Sequence, residues 1–443
     1  MKKLLITNGT IIDVENGEAF VGAIEVEGSQ IVKIIKGNGV LPEGIETIDA
    51  QGKYIIPGLI DMHCHINEGF APHFVASGVT TIRNTAGNVE WLNRLIQKPD
   101  DAPTPRVYAS DRMIDGSPGQ WGPTSFANFV TDDPEEARKE VRRQVSVGAK
   151  FIKLYGWIKK DVMEAAAEEA KKFGLELSID LINSKDLTAL DAAKAGVTWI
   201  EHASGFAQEL YKGWNPMVDQ NEWRHIDWEN PDQEKIQALC EEMLKYNVKL
   251  CPTMALFDQA MNYPNLWSPK NKIVESIEKK SMPTDYWKEH EQIIDLIKDS
   301  NAVINNLTKA IAKTYYDLGG TVVAGTDTPA LLYSYPGMFL HRELEVFVEI
   351  GFSELEALQA ATSKAAKSIS LDHIGSIQEG KIADLVILNE NPLDNIKHTQ
   401  DIDLIVKGGK VYNQEELLSH VPNEEEAQKT MEAFMEEWEA ASV

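Results

Sequence analysis

His63 and His65 stand two residues apart at the close of an apolar run, "GLIDMHCH". Side chains alternate faces along a β-strand, so both imidazoles point one way and Met62 and Cys64 the other. Two neutral ring nitrogens at that spacing make a chelating pair for a divalent ion. The same spacing suits two hydrogen-bonded histidines at a strand end, and the pair alone does not separate the readings.

Four more ionisable residues bear on the choice: Lys153 in "AKFIKLYGW", Asp180 at the end of "GLELSID", His202 in "VTWIEHASG" and Asp327 in "VVAGTDTP". Lys153, between Ile152 and Leu154, would place a cation in an apolar strand beside metal ions, which is costly. It escapes by losing its proton and adding carbon dioxide, and the resulting carbamate has two oxygens that can bridge two metals. Pairing with an acid such as Asp180 is the alternative. Asp327, past a Gly-Thr turn, can touch a metal and accept a proton from bound water, or serve as a turn or cap residue. His202 alone suits a structural histidine equally well.

The elements that must position these residues form a regular series. Helical stretches lead through Gly or Asn into brief β-branched runs: "GVTTIRN", "GAKFIKLY", "GLELSID", "GVTWIEH", "NVKLCPT" and "GTVVAGTD". With "GLIDMHCH" and "PRVYASD" they make eight strands, separated by helix-forming segments such as "DDPEEARKEVRRQVSVG". Eight such units predict a (β/α)8, TIM-like barrel over residues 58–369, whose chemistry sits at the C-terminal strand ends. All six ionisable residues fall in or just after those strands.

Residues 1–57 read instead as short alternating strands with turns at Asn8-Gly9, Glu27-Gly28 and Gln51-Gly52, and the same texture returns over 370–415. The two ends are expected to form one composite β-sandwich. Residues 416–443 carry Met431, Phe434, Met435 and Trp438 at helical spacing, predicting an amphipathic helix that docks on the body or on another subunit of a homo-oligomer.

The bulk properties exclude several classes. A formal charge of −26 opposes binding to nucleic acid or anionic membranes. No apolar run approaches the roughly 20 residues that span a bilayer, and "MKKLLITNGTIID" reads as a strand rather than a secretory signal. Cys64, Cys240 and Cys251 are too scattered for a disulfide framework, so a cytoplasmic setting is expected.

Together, "PGLIDMHCH", "GAKFIKLY", "AGVTWIEH", "AGTDTP" and "SIQEGKIADLVIL" resemble the metal-dependent amidohydrolase superfamily, in particular its imidazolonepropionase-like and prolidase-like branch, from Leu4 to about Tyr412. The resemblance implies that His63 and His65 bind the more buried metal and that carboxylated Lys153 bridges to a second one served by His202. It makes Asp327 a ligand of the first metal and the general base. Asp180 stands where such branches usually carry a histidine; it adds negative charge, shifts preference from zinc towards harder ions such as manganese, and leaves one or two metals per chain open.

The expected reaction is metal-assisted attack of hydroxide on a carbonyl, with Asp327 passing the proton to the departing nitrogen. The expected substrate is a small amide such as a dipeptide, an N-acyl amino acid or a xenobiotic amide. A mononuclear hydrolase of a cyclic amide or imidazolone-type ring is the alternative, and a non-catalytic assembly protein a third reading. For substrate contact the candidates are Tyr155, Trp121, Arg83 with Asn84, and His341. Trp157, Trp214 and Trp223 either wall a pocket or pack loops onto the barrel, and His225, in the loop after strand six, either touches substrate or stands as an exposed surface histidine.

Overall fold

The β-branched runs form short parallel strands in the order of the chain. In the computed structural model, which describes residues 2–37 and 39–442, Leu59–Cys64, Val79–Asn84 and Arg106–Ala109 pair side by side. Met113–Asp115 continues the third strand and meets Ile152–Leu154, which is followed by Leu177–Ile179, Trp199–Glu201, Lys249–Cys251 and Thr321–Val322. Backbone bonds from Met62 N to Ala324 O (3.0 Å) and from Thr326 N to His63 O (2.9 Å) return the eighth strand to the first. The sheet is therefore a closed (β/α)8 barrel. An extra strand, Asn128–Val130, adds to Met113–Asp115 in the connection that follows the third strand.

The helices obey local rules that the chain writes plainly. Pro134–Val147 starts behind Asp133, whose side chain accepts from Glu135 N, and stops at Gly148 in the left-handed region. Ala189–Ala195 opens on a capping box between Thr188 and Asp191. Their apolar faces and the barrel strands share one large buried core.

Both chain ends join one eight-stranded sheet. Its order runs Lys410–Tyr412, Ile402–Lys407, Leu385–Leu388, Tyr54–Pro57, Lys3–Asp13, Glu18–Glu27 and Gln30–Lys36, with Glu46–Asp49 also paired to Lys3–Asp13. The two ends meet where Tyr54–Pro57 runs antiparallel to Leu385–Leu388. Leu4, Ile6, Ile24, Leu385 and Ile387 pack between its layers, so the sheet curls into the expected sandwich.

One expected turn is absent. Gly28 and Gln51-Gly52 do turn the chain, but Asn8-Gly9 lies inside Lys3–Asp13 as a bulge, with Asn8 at φ 56°. There the strand changes partner from Glu46–Asp49 to Tyr54–Pro57. A Cβ on Gly9 would lie 2.5 Å from Ile55, so glycine serves close strand approach rather than a hairpin.

The tail forms the helix Glu424–Ser442 and docks on the body. The Phe434 and Trp91 rings sit 5.1 Å apart, and Trp438 meets Phe126. Among the described residues no helix is long and apolar enough to cross a membrane.

Candidate active site

Three imidazoles converge on one carboxylate at the C-terminal mouth of the barrel. His63 Nε2 lies 3.2 Å from Asp327 Oδ1, and His65 Nε2 2.8 Å from the same oxygen. His202 Nε2 faces the other oxygen at 4.0 Å and Asp180 Oδ2 at 3.4 Å. Strands one, five, six and eight thus each deliver a polar side chain to one point.

The backbone leaves the strand region to do this. His202, Thr253 and Asp327, just past strands six, seven and eight, all have positive φ, at 59°, 47° and 58°. Left-handed backbone at residues other than glycine costs about 1–3 kcal/mol each and persists where surrounding structure enforces it. Gly325 permits the approach on the eighth strand, since a Cβ there would lie 2.7 Å from His63 N.

Each ring is oriented by the bond its other nitrogen makes. His63 Nδ1 donates to Glu201 Oε2 at 2.7 Å, and Glu201 also accepts from Arg83 Nη1 (2.8 Å) and Ser178 Oγ (2.5 Å). Thr253 Oγ1 donates to Pro252 O, so it accepts from His202 Nδ1 at 2.6 Å. Both partners leave Nε2 as the lone-pair nitrogen facing Asp327. Below them, Asp61 accepts from Thr326 Oγ1 at 2.6 Å, and Glu343 accepts from Met254 N and Ala255 N, the residues that follow Thr253.

Electrostatics follow this architecture. Burial pushes the Asp327 and Glu201 carboxyls up, but His63 beside the first and Arg83 and His63 beside the second overcome it and hold both well below the usual range. Burial lowers His202 and Lys153. In His63 it is outweighed by Glu201 and Asp327, and the ring's pKa rises.

Lys153 is buried, and its Nζ has no hydrogen-bond partner. It does not pair with Asp180, whose Oδ1 accepts from Ile182 N (2.8 Å) while Oδ2 faces His202. An amine that is neutral and unpartnered is the form that adds carbon dioxide. His63, His202 and Asp327 offer donor atoms within 4.8 Å of one another. Two preset imidazole lone pairs, an ionised carboxylate and an orphaned lysine nitrogen form a donor set that fits a divalent cation.

The cluster floors a two-lobed cleft. One lobe is a cavity of about 410 Å³ and the other about 300 Å³, with Trp121, Tyr155, Asp180, His202 and Asp327 shared between them. Trp121 and Tyr155 thus lie where substrate contact is expected.

Three expected substrate contacts do not reach the cleft. Arg83 is fully buried beneath the site, its guanidinium 4.2 Å from the Phe151 ring centroid and 4.3 Å from that of Trp199. Asn84 accepts from Ile66 N and so holds the loop after strand one. His341 is buried between Ser77 O and Thr399 Oγ1, where burial lowers its pKa to about 4. Its Nε2 donates to Ser77 O and its Nδ1 lies 2.8 Å from Thr399 Oγ1, tying elements together. In the long loops, Trp214 packs on Trp228, Trp223 stacks on His225, and Trp157 lies under Lys185, so these tryptophans hold loops rather than wall the cleft.

Glu201, Thr253 and Ser178 were not legible as site residues. Glu201 precedes His202 in "WIEH", and two adjacent ionisable groups at a strand end were the available signal. Nothing near Thr253 in the sequence marks it.

The geometry has parallels among known proteins. A family model described as "Amidohydrolase family" matches residues 54–412. Ochratoxinase of Aspergillus niger is 25% identical over 372 residues, covering 78% of this chain; the chain spans only 62% of that relative's length. A dihydroorotase of Streptococcus pneumoniae is 34% identical over 110 residues, 21% of this chain and 26% of that protein. Among solved structures, a Xaa-Pro dipeptidase with bound methionine superposes with a TM-score of 0.67 at 21% identity, over 93% of this chain and all (100%) of the other. The A. niger ochratoxinase crystal structure gives 0.63 at 21% identity, over 93% and 96%. These two structural likenesses speak for the fold alone. The family match runs from the strand that enters the barrel to the last strand of the terminal sheet and encloses every residue of the cluster, so the chain belongs to the amidohydrolase family.

Proposed function

We propose that the protein hydrolyses the C–N bond of a small amide, with Asp327 as general base and then general acid. The observation that carries this reading is the convergence of His63, His65 and His202 on Asp327 at the floor of a cleft. His63, His65, Asp327, His202, Asp180 and Lys153, the last as a carbamate, would hold one or two divalent cations, zinc or manganese. A cation there supplies Lewis-acid polarisation of the scissile carbonyl and acidifies water towards a pKa of about 7.

The chain's own groups do the rest. Asp327 lies well below the usual carboxylate range and is ionised, so its carboxylate can take a proton from the attacking water and return it to the departing nitrogen. Glu201 and Thr253 hold two of the rings so that their lone pairs face the reacting atoms. Burial keeps the Tyr155 phenol protonated, as an O–H donor to the oxygen that gains charge during attack. The products are a carboxylic acid and an amine.

The test is amine release from a panel of amides, dipeptides and N-acyl amino acids by protein loaded with zinc or manganese in bicarbonate. Turnover of at least one class supports the reading, and silence across the panel with metal bound refutes it. Asp180 favours a second reading, a mononuclear cyclic-amide hydrolase, because its carboxylate stands 3.4 Å from the His202 nitrogen that a second cation needs. Two metal ions per chain support the first; one ion with lactam opening supports the second.

A further inference from the structure

We infer that the substrate is an amide uncharged on both sides of the scissile bond, so that free dipeptides and N-acyl amino acids fit poorly. The inference rests on the amide-hydrolase reading above and narrows it.

The walls of the cleft carry it. Beyond the metal-binding floor, the larger lobe is lined by Ala86, Met113, Ala127, Met282 and Pro329, with no charged side chain among the described residues. The smaller lobe has Leu256, Phe257 and Ile297, and beyond the floor its polar lining is the neutral amides of Gln120, Asn183 and Asn301 with Tyr286 and His290. Asn183 Oδ1 and Gln120 Oε1 are buried without partners. Neither amide carries a charge that could hold a substrate carboxylate.

No cation stands ready for an anionic group. Among the described residues Lys153 is the one lysine or arginine lining either lobe, and it sits at the metal floor. Arg83 is sealed beneath. His290 reaches the smaller lobe with its Nδ1 bonded to Tyr286 O. Away from the cations of the floor, a substrate carboxylate would therefore lose water with no lysine or arginine in return, in the field of a chain of net charge −26.

The mouth makes a second, independent case. Of the ten large hydrophobic residues most exposed among those described, Trp121, Met217, Met282 and Ile293 gather on this one cleft, between 47% and 60% exposed. Clustered exposed apolar surface marks a binding rim, here one for apolar groups.

The experiment compares an isosteric pair, N-butyryl-4-aminobenzamide and N-butyryl-4-aminobenzoate, on metal-loaded protein, by calorimetric binding and by amine release. Tighter binding of the neutral member by about tenfold or more supports the inference. Equal or tighter binding of the carboxylate, or no binding of the neutral member, overturns it. Binding preference without cleavage of either would remove the hydrolase reading and leave the pocket assignment standing. Met282→Arg, at the exposed rim, is expected to move the binding ratio towards the carboxylate by about threefold or more; an unmoved ratio counts against the inference.

Discussion

The two histidines that face different oxygens of Asp327, His63 and His202, are held by different chemistry. His63 leans on Glu201, which is fully buried and paired with an equally buried Arg83. His202 leans on the neutral hydroxyl of Thr253 and stands beside Lys153 and Asp180, neither of which is locked into an ion pair with the other. A buried ion pair is unforgiving, because loss of one member strands the other's charge. A neutral hydrogen bond can be rebuilt at small cost. The His63 half is therefore a fixed anchor, and the His202 half is the adaptable side where carbamate formation and a second cation would be accommodated.

The largest expected effect comes where the halves meet. Asp327→Asn keeps the shape but removes the base, and kcat is expected to fall by about 10³-fold or more; a loss under about tenfold would break the assignment. Next, Lys153→Ala is expected to abolish activity and lower metal content, with partial rescue by short-chain carboxylic acids that stand in for the carbamate. Full activity in this variant would refute a bridging lysine.

Two paired variants then test the contrast itself. Glu201→Gln strands Arg83 and is expected to cost about 3–5 kcal/mol in denaturant unfolding, with metal affinity about 10–100-fold weaker. Thr253→Val should weaken metal binding by about tenfold with little change in stability, and Thr253→Ser should restore it. Equal stability losses in the two variants would erase the distinction between the halves.

The smallest effect concerns pH. Burial raises Glu343 to about 8 and Asp61 to about 7, from ordinary values of 4.5 and 3.8. The folded chain then binds protons that the unfolded chain has released, so these groups' stabilising contribution declines as pH rises from about 5 to 8. Glu343, which caps the turn after Thr253, isolates this on the adaptable side. In metal-free protein, Glu343→Gln is expected to flatten the decline of Tm over that range, and an unchanged slope would contradict it.

Much of the frame was legible because strand ends in a barrel share a fixed direction. His63, His65, Lys153, Asp180, His202 and Asp327 each stand within or just past a strand, and all six line the cleft. Arg83 misled because strand position says which end of the barrel a residue nears, not how deep its side chain lies. The loop tryptophans misled because aromatic richness marks burial as readily as binding. Asn8-Gly9 carried a turn signature, but two competing partner strands extended the chain through it.

The sequence by itself determined the alternation of strands and helices, the merging of both ends into one sheet, and which polar side chains arrive at one mouth, since periodicity and strand direction are local properties. Only the tertiary structure decided how those side chains face each other. The left-handed turns at His202, Thr253 and Asp327 and the buttresses at Glu201 and Thr253 depend on neighbours up to a hundred or more residues away. No local pattern encodes such strain, because the packing that enforces it exists only once the barrel has closed.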